Sequence, residues 1–197
     1  MAVISRPKRQ GQLDGACGFY SITNAIALLE PELEHSEIFE LTLESFFKDG
    51  LPIRVVQGTG RGSIKDTLSR TINALHERYR FYDNKAKKNY IFEFKIPFWQ
   101  HKERTRQDVI NVLSNVNYRN GTVALIAYEY NDGDHSYLHW TVIKEFDGIY
   151  LYTHDSDGEK TAICIDEARV DALHSKNSAR PYNIISSHIL VLSRELI

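Results

Sequence analysis

The chain has 197 residues, 42% hydrophobic and 25% charged, with 24 basic against 26 acidic side chains and a formal net charge of −2. That is the balance of a globular protein, long enough for one core or one domain in two lobes. Near-neutrality gives no electrostatic drive toward nucleic acid or an anionic membrane surface, and no run approaches the ~18 apolar residues of a membrane-spanning helix. The opening "MAVISRPKRQGQ" lacks the apolar core of a secretory signal, and its basic "RPKR", Arg6 to Arg9, reads as a solvated arm. The expected setting is the cytosol, or secretion without a cleaved signal peptide. Two cysteines, Cys17 and Cys164, make neither a disulfide framework nor a zinc motif.

In chain order, the first helix is expected from Cys17 to about Leu29, where "EPE" stops it; Phe19, Ile22, Ala25, Ile26 and Leu29 share one face. A second fits "SEIFELTLESFFKDG", with Ser36 as N-cap and Gly50 as stop. A third fits "GSIKDTLSRTINALHERYRFY", striped by Ile64, Leu68, Ile72 and Leu75. "NYIFEFKIPFW" alternates like a strand, and the basic, aromatic stretch around it (78 to 102) reads as a hairpin or edge strand; its other reading is a contact for a peptide or protein partner. "RTRQDVINVLSNVNYRNG" gives a fourth helix closed by Gly121. Then the texture changes. "TVALIAYEY", "LHWTVIKEF", "GIYLYTHD", "TAICI" and "IISSHILVLS" are rich in β-branched and aromatic residues, and Asp147-Gly148 marks a hairpin. The fold class is therefore α+β: a helical part over about 17–119 packed on an antiparallel sheet over about 121–197, one domain spanning 1–197.

Cys17 stands where the first helix begins. The partial positive charge and free N–H groups of a helix start stabilise an anion, and thiolate is the nucleophilic form of cysteine. Gly15 and Gly18 leave room for a substrate carbonyl to approach the backbone. Taken alone, a cysteine there is as well explained by burial. A base must accompany it. Of eight histidines, His35 and His76 read as helix surface, His101 and His174 as loop, and His188 as a packed strand residue. His139 opens an apolar strand after the polar "NDGDHSY", at the rim of a sheet. Asp155 follows 16 residues later, and a hairpin centred near 147 sets positions 139 and 155 opposite each other, so one local element brings a carboxylate to the imidazole. The Cys17 N–H is one oxyanion donor, and Gln12 or Gln10, five and seven residues upstream, offers a side-chain amide as another.

The order glutamine, cysteine at a helix start, histidine at a strand start, then an acid resembles the papain-like cysteine hydrolase superfamily. "CGFYSITNAI" and "HWTVIKEFDGIYLYTHDS" are similar to segments of the peptidases that cleave bacteriocin leader peptides and of related bacterial papain-fold peptidases and toxins. The resemblance covers residues 10–29 and 138–158 and implies a papain-like fold, acyl-enzyme chemistry, no cofactor and no metal. By position it makes Cys17 the nucleophile, His139 the general base, Asp155 the orienting acid and Gln12 the oxyanion glutamine. The family's glutamine stands six residues before the cysteine; Gln12 is one short and Gln10 one long. "DGACGFYS" also resembles the ovarian-tumour deubiquitinases, which brings Asp14 to the oxyanion loop. That class orients its histidine from two residues further on, where this chain has Thr141.

The resulting expectation is a thiol protease or isopeptidase/amidase acting on a peptide or protein substrate, with neither nucleic acid nor membrane as partner and with an effector or toxin role by analogy. An acyltransferase on the same triad and a catalytically inactive protein-binding module remain alternatives, since fold does not select chemistry. A metal site built from Asp132, Asp134, His135, His139 and His154 is the rival reading of "DGDHSYLH"; the pair four apart straddles a turn and a strand, so its spacing fixes no ligand geometry. Cys164, in "TAICI", reads as a core strand position.

Overall fold

The computed structural model describes residues 16–48, 59–99, 104–118, 120–131, 136–156, 161–172 and 180–197. Among the described residues four α-helices and nine strands form an α+β fold in which helices pack on a largely antiparallel sheet. Helix α1 spans Cys17–Leu29 and is buried almost all round. Its apolar face, Phe19, Ile22, Ala25, Ile26 and Leu29, is at most 2% exposed, each large side chain contributing roughly 1.5–3 kcal/mol of burial. It ends at Glu30, whose non-helical backbone (φ −130°, ψ 82°) avoids the α region disfavoured before Pro31.

Helix α2 spans His35–Phe47 and α3 spans Arg61–Arg78. Phe46 of α2 packs on Phe19 of α1 at 4.7 Å between ring centres. The stripe Ile64, Leu68, Ile72 and Leu75 of α3 is buried as expected. Glu34 rather than Ser36 precedes α2, with no side-chain cap. Helix α3 stops three residues before Phe81, which leaves it to pair with Tyr90 in the sheet. Helix α4, Arg106–Ser114, carries a capping box between Thr105 and Asp108 and ends well short of Gly121.

The strands are β1 (Phe81–Asp83), β2 (Lys88–Lys95), β3 (Thr122–Asn131), β4 (Ser136–Phe146), β5 (Tyr150–His154), β6 (Ala162–Cys164), β7 (Ala168–Val170), β8 (Tyr182–Ile184) and β9 (Leu190–Leu196). Their order is β1-β2-β9-β3-β4-β5-β6, with β8 also on β3 and β7 parallel to β8. The basic stretch from 78 is indeed a hairpin at the sheet edge: Asp83 Oδ1 accepts from the N–H groups of Lys85 and Ala86 at 2.8 Å each, and Lys87 takes φ 55°. "IISSHILVLS" is not one strand. The N–H of Ser186 donates to Asp171 Oδ1 at 2.9 Å, which breaks the run into β8, a short 3-10 turn at Ser186–His188, and β9.

Two cores follow from strand alternation. Val123, Leu125 and Ala127 of β3, with Trp140 and Val142 of β4, face α1, α2 and α3. Ala124, Ile126 and Tyr128, with Ile143 and Leu151, face α4 through Val109 and Leu113. The helical part therefore does not lie on one side only: α4 covers the opposite face, and β1 and β2 join the sheet.

Candidate active site

The site lies where α1 begins beside the start of β4. Cys17 is the first residue of α1, 7% exposed, and its helix opens without a side-chain cap. The first N–H groups of a helix have no intrahelical partner, so those of Cys17 and Gly18 are the natural donors to an anion there. Gly18 has a reason other than room for substrate. A Cβ on it would stand 2.3 Å from Ile64 Cδ1 and 2.7 Å from Thr59 Oγ1, so the missing side chain lets α1 and α3 close on each other.

His139 bridges the other two residues. Its Nε2 donates to Asp155 Oδ1 at 2.8 Å, and the side chain of Cys17 is close enough to act on its proton affinity. With Nε2 committed to the carboxylate, Nδ1 is the nitrogen left for sulfur. The side chains of His139 and Asp155 are 14% and 1% exposed. Burial alone would hold this imidazole neutral. The hydrogen bond and charge of Asp155, with the neighbouring Cys17, outweigh it and raise the His139 pKa to about 10.

Asp155 does not reach His139 by direct cross-strand pairing. The hairpin register runs Phe146↔Leu151 and Glu145↔Tyr152, then Ile143↔Thr153 and Val142↔His154, with a bulge at Lys144. The turn is set by Asp147 Oδ1, which accepts from the N–H groups of Ile149 (2.8 Å) and Tyr150 (2.7 Å), and by Gly148 at φ 96°. Continued by one residue, this register sets Asp155 beside Thr141, so the carboxylate meets His139 along the diagonal. The hairpin is centred between Gly148 and Ile149 and not at 147, and the extra residue of the bulge makes up only one position of that offset. Thr141 itself is fully buried, and its Oγ1 has no hydrogen-bond partner among the described residues. Asp155, not Thr141, holds the imidazole.

Trp140 anchors the strand on the opposite side. It is 1% exposed, its Nε1 donates to the carbonyl of Thr59 at 3.1 Å, and its ring packs on His188 at 5.4 Å. Burial pushes His188 down to about 4, a packed neutral ring as the sequence suggested, though it sits in the 3-10 turn and not in a strand. His76 is not a surface residue. Its Nε2 accepts from the N–H of Phe92 at 3.0 Å and its ring stacks on Phe92, which ties α3 to β2 and, through burial, lowers its pKa. Cys164 is half-buried on edge strand β6, with Ile163 taking the core position. No arithmetic on one sequence separates these neighbours, because a one-residue slip exchanges the two faces of a strand.

Gln10, Gln12, Asp14 and Gly15 lie outside the described residues, as do His101, Asp132, Asp134, His135 and His174. Among the described residues no group of three or more His, Cys, Asp or Glu side chains could hold a metal ion, and no helix is long and apolar enough to cross a membrane. Two surface cavities, one between α3 and β2 at Ile72 and Phe94 and one at the far end of α1 beside Arg194, include neither Cys17 nor His139. Compared with family models, curated proteins and solved structures, the chain matches none.

Proposed function

We propose that the protein is a thiol hydrolase of papain-like type, cleaving an amide bond in a peptide or protein through Cys17, His139 and Asp155. The observation that carries this reading is His139 held by the buried carboxylate of Asp155, with a cysteine at a helix start as its neighbour and a pKa raised to about 10. An imidazolium at neutral pH beside sulfur stabilises thiolate, the nucleophilic form. The sulfur attacks the scissile carbonyl carbon, and the oxyanion draws on the N–H groups at the head of α1. His139 gives its proton to the departing amine, leaving a thioester on Cys17. The now neutral imidazole takes a proton from water as its oxygen attacks the thioester carbonyl; collapse of that adduct expels the thiolate and releases the acid, and the proton kept on His139 restores the thiolate–imidazolium pair. Asp155 fixes the ring through both halves of the cycle.

The first test needs no substrate. Iodoacetamide should alkylate Cys17 far faster than Cys164 at neutral pH, read by mass spectrometry of the two peptides, and His139→Ala should remove most of the difference. Equal, slow labelling of both thiols would sink the ion pair.

A further inference from the structure

Cys17 and His139 sit on different elements, and one buried hydrogen bond joins the neighbour of the second to the neighbour of the first. Trp140 follows His139 in β4, and its Nε1 donates to the carbonyl of Thr59 at 3.1 Å, across 81 positions of sequence. Thr59 in turn lies against the residue after Cys17. A Cβ on Gly18 would stand 2.7 Å from Thr59 Oγ1, so this residue already touches the first turn of α1. Each end of the bond is therefore one residue removed from the pair that must meet.

The acceptor is placed where no helix uses it. Gly60 is the N-cap of α3, and its carbonyl takes the N–H of Ile64, so the Thr59 carbonyl just ahead of the helix is left for the indole. Thr59 and Trp140 are both buried, and a hydrogen bond withdrawn from water is strong and costly to leave unmade. The indole is also held through its ring, which packs on His188. A side chain serving only to fill this core could be phenylalanine, which buries a ring with no N–H to satisfy. Here the N–H reaches a residue that also touches the head of α1.

We propose that the bond from Trp140 to Thr59 is the clamp that sets the gap between Cys17 and His139, which makes Trp140 a positioning residue of the site. The proposal rests on the thiol hydrolase reading and adds what holds its two halves together. With the bond made, β4 cannot draw back from α1 without pulling Thr59, and Thr59 is seated against Gly18. Misplacement on the order of 1 Å is enough to slow a reaction of this kind. The influence of Cys17 on the proton affinity of His139 also weakens with distance, so that affinity gauges the gap.

The test follows iodoacetamide alkylation of Cys17 against pH in the full chain, with Cys164 as internal reference. In Trp140→Phe the rate at neutral pH should fall about tenfold, and the high-pH limb, set by His139, should move to lower pH. Benzothienylalanine in place of Trp140 keeps the bicyclic shape and lacks the N–H; it should do the same, and it carries the test if the phenylalanine variant does not fold. Leu113→Ala empties part of the α4-side core and controls for stability: it should lower the melting temperature and leave the limb in place. A folded Trp140 variant with the unaltered profile would overturn the clamp, as would an equal shift in Leu113→Ala. If Cys17 in the unaltered chain labels no faster than Cys164, the hydrolase reading and the clamp fall together; fast labelling with an unmoved limb removes the clamp alone.

Discussion

His139 and His154 lie on neighbouring strands of one hairpin, both largely withdrawn from solvent, and they end at opposite extremes. The first is raised to about 10; the second, 4% exposed with Nε2 buried and without a hydrogen-bond partner among the described residues, is lowered to about 4. Burial pushes both the same way. What separates them is the sheet face: His139 finds Asp155 and Cys17, while His154 pairs with Val142, whose side chain belongs to the core under α1. Partners, not depth, decide whether a buried imidazole carries charge.

The contrast can be broken or sharpened by mutation. His139→Ala should lower turnover by about 10⁴-fold or more, because it removes the acid, the base and the counterion of the thiolate together. His154→Leu should leave turnover within about threefold and hold or raise the melting temperature, since it replaces a buried polar group lacking a partner with an apolar one. A comparable loss in both variants, measured on one peptide substrate, would erase the distinction.

Stability against pH should show the two signs. The unfolded chain takes up a proton that folded His154 refuses, so stability falls as pH drops from 6.5 toward about 4, by roughly 3 kcal/mol for this group. His188, also lowered to about 4, adds to the same limb. His139 acts in reverse: its contribution is complete below 6.5 and is lost as pH rises through about 10. Urea denaturation across this range should give an acid limb that His154→Leu flattens in part. An acid limb unchanged in that variant would count against a neutral buried His154.

Asp155→Ala should have a smaller effect on turnover, about 10²-fold, since sulfur and imidazole both remain. It should also bring the His139 titration down, because the hydrogen bond and charge of Asp155 are what raise it. The high-pH limb of the Cys17 alkylation profile should then move to lower pH. Loss of turnover with the limb in place would assign Asp155 to folding and not to orienting the ring.

Much of this was legible in the sequence because it is local. The 3-to-4 spacing from Phe19 to Leu29 marks α1 to its ends, and Asp147-Gly148 marks the hairpin that carries both His139 and Asp155. Contacts between distant segments were not legible. His76 on Phe92 depends on α3 meeting β2, and Gly18 on Ile64 depends on two helices separated by a stretch without a readable motif. The break at Ser186 needs Asp171 to accept its N–H, which no propensity in "IISSHILVLS" announces.

The bulge at Lys144 sets the parity of the hairpin. Residues added at the tip, beyond the Phe146↔Leu151 pair, leave the alignment of Val142 with His154 untouched, so the tip is free to lengthen. Flattening the bulge is different in kind. If Lys144 entered the ladder opposite Thr153, every pair beyond it would slip by one position and the two faces of β5 would exchange, turning His154 toward His139 and sending the carboxylate of Asp155 beneath α1. The chain can therefore vary the end of this hairpin freely, but the bulged residue near its middle is what keeps the acid of the site, and not a second base, beside His139.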